Sequence, residues 1–361
     1  MRISLSLAII LVVFSGPALA AKGKKAAPKG PVATMDGNDP AAKEISEKKE
    51  AEAKPETEAE AEHRETQLDA ADVAKEREHS KFGAFGNVLI GFGKAPEPGP
   101  GATVATGKTT SATLMVGGHY DLSPELRLGL RIPFSFGSAT QRDGLSASST
   151  ALGAPELMAE YRLSLSPFTR LPIFFGLGVP VASGNYDEAG SIRQTQLNEM
   201  ADAASGYRDP ELFEPKRLPV ILGLGIEYER KALNLHAATK FVFGVKVGGK
   251  LPPQTDPAGT YELKSVSFRN VTGAGVAYTF LAQPQIFGAL DSWFAYSAID
   301  PVEFNSRQGA TAPTRFQVVF EPRAGARFGK ISPSIGYIFP IGGRLADTGA
   351  SGLELHCDVA F

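Results

Sequence analysis

From Phe82 onward, apolar and polar positions alternate with a period of two. The last stretch is the simplest case. Leu353, Leu355, Cys357, Val359 and Phe361 share one parity, and Glu354, His356, Asp358 and Ala360 take the other. Successive side chains of a strand point to opposite faces, so this pattern predicts strands with one apolar and one polar face. The pattern recurs upstream. Leu126, Leu128, Leu130, Ile132, Phe134 and Phe136 alternate with Arg127, Gly129, Arg131, Pro133, Ser135 and Gly137. Val220, Leu222, Leu224, Ile226 and Tyr228 oppose Gly223, Gly225 and Glu227, and Phe316, Val318 and Phe320 oppose Arg315, Gln317, Glu321 and Arg323. About twelve such segments follow one another, over 82–93, 110–121, 125–138, 153–165, 171–183, 217–229, 232–247, 265–281, 285–298, 314–328, 331–341 and 352–361. A tilted membrane strand needs ~9–11 residues, and these segments are that long or longer.

The connections carry a second rhythm. Asp121–Pro124, Ser166–Phe168, Glu229–Lys231, Ala282–Pro284 and Gly329–Lys330 are tight turns after every second strand. The other connections are long and polar, the largest running from about Gly184 to Lys216. Tyr120, Tyr161, Tyr228, Tyr278, Phe328 and Phe361 fall on the apolar parity near the short-turn end, where an interfacial aromatic belt would place them. A secreted β-sandwich also alternates, but gives no reason for this loop rhythm or for the terminal Phe361.

The N-terminus begins with Arg2, an apolar run Leu5–Phe14, the break Gly16-Pro17 and the small-x-small motif Ala18-Leu19-Ala20. This reads as a signal peptide over 1–20, cleaved after Ala20. Residues 21–80 are rich in Ala, Lys, Glu and Pro and nearly free of aromatics. They cannot bury enough apolar area to offset their ordering entropy, so they read as a disordered periplasmic tail with one marginal helix over about 58–79. With Ala18–Ala20 at one end and Leu353–Phe361 at the other, the chain resembles the outer-membrane β-barrel proteins of Gram-negative bacteria. The resemblance covers 82–361 and is one of architecture. It implies an all-β, antiparallel transmembrane barrel over 81–361, embedded in outer-membrane lipid, with Leu353–Phe361 as the signal read by the barrel-assembly machinery. It implies no substrate.

Composition removes several alternatives. Among 361 residues the formal net charge is -2, with both signs interleaved, so nucleic acid is not an expected partner. One cysteine, Cys357, excludes an internal disulfide framework. The mean hydropathy of -0.08 looks soluble only because alternating faces cancel in the average. No Cys/His cluster has metal-ligand spacing and no nucleophile elbow occurs, so neither cofactor, metal site nor catalytic residue is expected. His119, His236 and His356 all fall on the polar parity.

The candidate chemistry therefore lies on the lumen-facing parity. Its charged residues include Arg127, Arg131, Glu156, Glu160, Lys240, Lys246, Arg269, Asp291, Arg315, Glu321, Arg323 and Arg327. Charges in a wet pore tune selectivity, whereas charges in a narrow one pair and fill it. Lys240, Lys246, Arg269, Arg315, Arg323 and Arg327 suggest a basic wall, which Glu156 and Glu160 would face across the lumen. The stretch from Ile192 to Ala204 has helical character, with Ile192, Thr195, Gln196, Glu199 and Met200 on one face. It either folds into the mouth as a constriction or projects outward. The expected function is a channel for small polar solutes. The alternatives are a structural or surface-exposed barrel with a closed lumen, and an envelope-tethering protein whose tail binds the cell wall or a periplasmic partner.

Overall fold

The computed structural model describes residues 81–94, 108–140, 146–183, 200–248, 259–282, 284–306, 316–343, 345–346 and 349–361. The expected signal peptide and tail, the stretch Ile192–Glu199 and the candidate lumen residue Arg315 lie outside the described residues.

Fifteen strands follow in order: β1 (Phe82–Lys94), β2 (Lys108–Asp121), β3 (Leu126–Thr140), β4 (Ser146–Leu152), β5 (Glu156–Ser164), β6 (Thr169–Gly178), β7 (Arg217–Arg230), β8 (Leu233–Lys246), β9 (Gly259–Leu263), β10 (Val266–Ala282), β11 (Gln285–Ile299), β12 (Val302–Ser306), β13 (Phe316–Arg327), β14 (Ile331–Gly343) and β15 (Ser351–Ala360). Twelve of them form one closed antiparallel ring, β1-β2-β3-β5-β6-β7-β8-β10-β11-β13-β14-β15. The first and last strands close it, with register running from Gly83↔Ala360 to Phe92↔Ser351. The Phe361 N–H adds a hydrogen bond of 3.0 Å to the Phe82 carbonyl. Closure leaves the ring of twelve strands without an end, which is what a hydrocarbon environment demands.

The alternation sets the two faces. Leu222, Leu224 and Ile226 of β7 point outward and are 46%, 45% and 46% exposed, while Ile221, on the opposite parity, is 1% exposed. Leu114, Phe134, Phe175, Leu290, Phe294 and Ile335 are exposed in the same way. A continuous outer band of this kind is wrong for water and right for lipid. Aromatic rings edge it at both ends. Tyr120, Tyr161, Tyr278, Phe328 and Phe361 are exposed at the short-turn end, while Tyr228 packs against Phe168. At the long-loop end a second girdle has formed, in which Phe294 stacks on Phe316 and Phe268 contacts Phe241 and Phe243.

Two features depart from a plain twelve-strand pattern. The segment expected over 153–165 holds β5, but an unexpected strand, β4, precedes it, so that the Phe134–Thr140 part of β3 pairs with β4 and the Leu126–Arg131 part with β5. Gly153, Ala154 and Pro155 interrupt the ladder there, and the Ala154 N–H donates to the Leu212 carbonyl at 2.6 Å. Beyond the long-loop end of β10 and β11, β9 and β12 pair as a separate two-stranded sheet.

Candidate functional site

Between β6 and β7 the chain enters the lumen. Residues 200–204 form one helical turn, and every residue from Met200 to Gly206 is buried, as are Pro210 to Pro215. Small residues let this segment approach the wall closely: Ala204 lies against Gly91 and Gly352. The chain then reverses through two left-handed residues, Gly206 (φ 63) and Tyr207 (φ 55). At Gly206 a side chain is excluded twice, by its backbone conformation and by Trp293, whose ring would lie 2.8 Å from an added Cβ. At Tyr207 the left-handed conformation is strained for a bulky side chain. The reversal is held by the Trp293 Nε1–H, which donates to the Gly206 carbonyl at 2.8 Å, and by Arg208, whose guanidinium sits 5.5 Å from the centre of the Trp293 ring.

The charges of this segment match those of the wall. Arg208 faces an acidic sector, donating to Glu321 of β13 at 3.0 Å and to Glu354 of β15 at 2.9 Å. Asp209 and Glu211 face a basic sector. Asp209 is 2.9 Å from both Arg131 Nη1 of β3 and Lys240 Nζ of β8. Glu211 is 2.9 Å from Arg131 Nη2 and 2.8 Å from Lys240 Nζ. Glu214 accepts from Arg269 of β10 at 2.9 Å and from Ser267 at 3.0 Å. Arg217, at the start of β7, donates to the carbonyls of Gly244, Lys264 and Pro301 at 2.9, 2.6 and 2.8 Å. Burial alone would push the Asp209 carboxyl up; Arg131, Lys240 and Arg208 reverse this and hold it well below the usual carboxylate range.

The candidate lumen residues therefore divide into groups. Arg131, Lys240, Arg269 and Glu321 bind the lumen segment directly, and Glu156 is linked to it through Arg131. Glu156 does not face a basic wall across the lumen: it is register-paired with Arg131 on the neighbouring strand and bonded to it. Glu160 is likewise taken by Arg162. Arg323 is bonded to Asp291, which also contacts His236 Nε2 at 3.0 Å, so the expected basic wall is neutralised there too. Arg127 pairs with Asp121 at 2.6 Å. Arg327 and Lys246 are exposed at opposite ends of the barrel, beside the Gly329 turn and at the long-loop end of β8 respectively. His356 contacts Asp358 at 2.9 Å.

Arg208, Asp209, Glu211, Glu214 and Trp293 escape the parity argument. Four of them lie in a connection and the fifth is apolar. A signal was nonetheless present. Val242, Val271 and Val319 stand on the otherwise polar parity and are 3%, 7% and 0% exposed. Apolar residues on a lumen face imply that something apolar reaches them, and Leu212-Phe213 is an odd pair for a surface loop.

No family model matches the sequence, and no curated protein does. Among solved structures, an outer membrane channel from Pseudomonas putida F1 is similar over 77% of this chain and 95% of its own, at 14% identity and a TM-score of 0.51. The NanC porin aligns over 76% of this chain and 98% of its own, at 8% identity and a TM-score of 0.41. The transport unit of the autotransporter AIDA-I from Escherichia coli aligns over 81% and 97%, at 11% identity and a TM-score of 0.44. Identities this low speak to the fold alone. With its closed ring of twelve strands, apolar outer band and turns that are short at one end and long at the other, this chain is an outer-membrane β-barrel protein.

Proposed function

We propose that the protein is a narrow channel whose bore is set by the lumen segment, with its short-turn end facing the periplasm, and that it passes small polar solutes. The carrying observation is the contrast between the two halves of the lumen. In the short-turn half the charged side chains remain partly open, with His236 44%, Arg323 30% and Arg127 29% exposed. In the other half the lumen segment fills the space, attached mostly by ion pairs that a wet lumen leaves exchangeable. A vestibule leading to a tethered, charge-matched constriction suits restricted passage. The fold likeness to an outer membrane channel points the same way.

A second reading, a structural barrel with a closed lumen, draws on how tightly the segment is packed: Met200 and Ala204 are 0% exposed and Glu211 1%. Planar-bilayer recording separates the two. The unmodified barrel should give small, discrete openings, and Asp209→Asn with Glu211→Gln should enlarge them by releasing the segment from Arg131 and Lys240. No conductance from either protein would overturn the channel and leave the closed barrel.

A further inference from the structure

We infer that the route past the lumen segment runs along β1 and β2, and that Asn87, Thr113 and Met115 on the wall, with Asp202 and Ser205 on the segment, set its width. This rests on the channel reading above. Around most of the ring, ion pairs and one hydrogen bond tie the segment to the wall. The β3–β8 side is sealed by Arg131 and Lys240 on Asp209 and Glu211. The β10 side is sealed by Arg269 on Glu214, the β11 side by Trp293 on Gly206, and the β13–β15 side by Arg208 on Glu321 and Glu354. On the β6–β7 side Ile221 is 1% exposed.

The β1–β2 sector differs in kind. Its inward positions are Gly83, Phe85, Asn87, Leu89 and Gly91 on β1, and Ser111, Thr113, Met115, Gly117 and His119 on β2. None is Arg, Lys, Asp or Glu, so this wall meets the segment by packing alone, with Ala204 against Gly91 and Leu89, and has no fixed ion with which to clamp it. A cavity of about 20 Å³ lies here between wall and segment, lined by Asn87, Thr113, Met115, Asp202 and Ser205 among others. That is space for about one water molecule. The polar chemistry agrees. Thr113 Oγ1 donates to Ser135 at 3.1 Å and Asn87 Nδ2 donates to Glu354, while the buried Asn87 Oδ1 and Ser111 Oγ have no hydrogen-bond partner among the described residues. Of the two, Asn87 lines the cavity, and its unpartnered neutral oxygen favours water and small hydrated solutes over apolar ones, since a buried acceptor without a partner costs free energy. The remaining unpartnered buried atoms belong to carboxylates and guanidiniums whose other atoms are already bonded. The solute class is therefore water, monovalent ions and small polyols, moving between the hydroxyl and amide groups of the wall and the Asp202, Arg208 and Asp209 side chains of the segment.

Thiol labelling during planar-bilayer recording in potassium chloride tests this. In a Cys357→Ser background, which removes the chain's one native thiol, Thr113→Cys places a thiol in the proposed route. Val242→Cys places one on the sealed β8 side. A charged methanethiosulfonate reagent should cut the current of the Thr113→Cys protein by more than half and leave that of the Val242→Cys protein unchanged. Met115→Ala, which widens the gap without labelling, should raise the current. Current that persists after Thr113→Cys has been labelled, or that Val242→Cys blocks equally, would overturn the placement of the route while leaving the channel standing. A Cys357→Ser parent that carries no current would overturn the channel itself.

Discussion

Arg131 reaches three carboxylates at once: Glu156 on the adjacent strand, and Asp209 and Glu211 on the lumen segment. Its side chain is 11% exposed, so these contacts are only lightly screened. Replacing it by Met would leave three acids to share Lys240. Removing one partner of a buried pair costs ~3–5 kcal/mol, because it strands the others in a poor solvent. Arg131→Met should therefore lower the temperature at which the barrel loses its compact electrophoretic form, and should enlarge its conductance. An unchanged thermal shift would mean that the segment is held by packing alone. Asp209 gives the same tether a pH dependence. Its folded-state carboxyl is held below the usual range, with an unfolded value of ~3.9. A depressed pKa contributes stability that is fully present above the unfolded value and is lost as pH falls through the folded one. The share of the tether that Asp209 supplies should therefore hold at about pH 5 and above and be lost only in stronger acid, below ~4. Opening between neutrality and pH 6 would move the control to other groups, the lumen histidines among them.

At the level of elements, the strand faces make the sharpest prediction. Leu224 faces lipid near the middle of β7, and Ala238 faces the lumen on β8, beside Gly225 in the register. Leu224→Arg should destabilise the inserted barrel by ~2–4 kcal/mol, as a cation facing the bilayer midplane does. Ala238→Gln should cost far less in the same denaturant titration, and equal penalties would reverse the assigned faces. The terminal strand makes a second prediction. β15 pairs with both β1 and β14, so removing Leu353–Phe361 opens two edges at once. That truncation should yield no heat-modifiable band in the outer-membrane fraction, and normal insertion would show that closure does not need β15. These faces were legible in the sequence because a period of two has one physical cause, the pleat, and because lipid outside and water inside make the two parities chemically opposite. The split of β4 from β5 was not legible. It depends on Leu212, a residue from a distant connection that takes the Ala154 N–H. The lumen segment was only half legible. Its helical turn at Met200 was visible as a periodic stretch, but the contacts of Arg208, Asp209 and Glu211 depend on which strands the closed ring brings opposite them. Periodicity along a chain carries no information about position around a ring.

The whole barrel is stabilised by three things that do not compete: ladder closure, lipid on the outer band and a lumen filled from within. Among the described residues, all three are supplied from within 82–361. The ring closes through β1 and β15, the outer band belongs to the twelve ring strands, and the segment that fills the lumen is the barrel's own β6–β7 connection. Residues 21–80 contribute little apolar area by composition. If their role is to hold a cell-wall or periplasmic partner, the tethering alternative raised by the sequence, then insertion and conduction should not depend on them. Residues 81–361 alone, refolded into detergent and then into a bilayer, should show the same heat-modifiable shift and the same single-channel openings as a chain that keeps residues 21–80. Binding to isolated cell wall, in contrast, should be lost with the tail. The two measurements fail independently. A truncated barrel that cannot refold would make the tail part of assembly, whereas a truncated barrel that refolds but still binds cell wall as well as the longer chain would place that contact on the short turns instead.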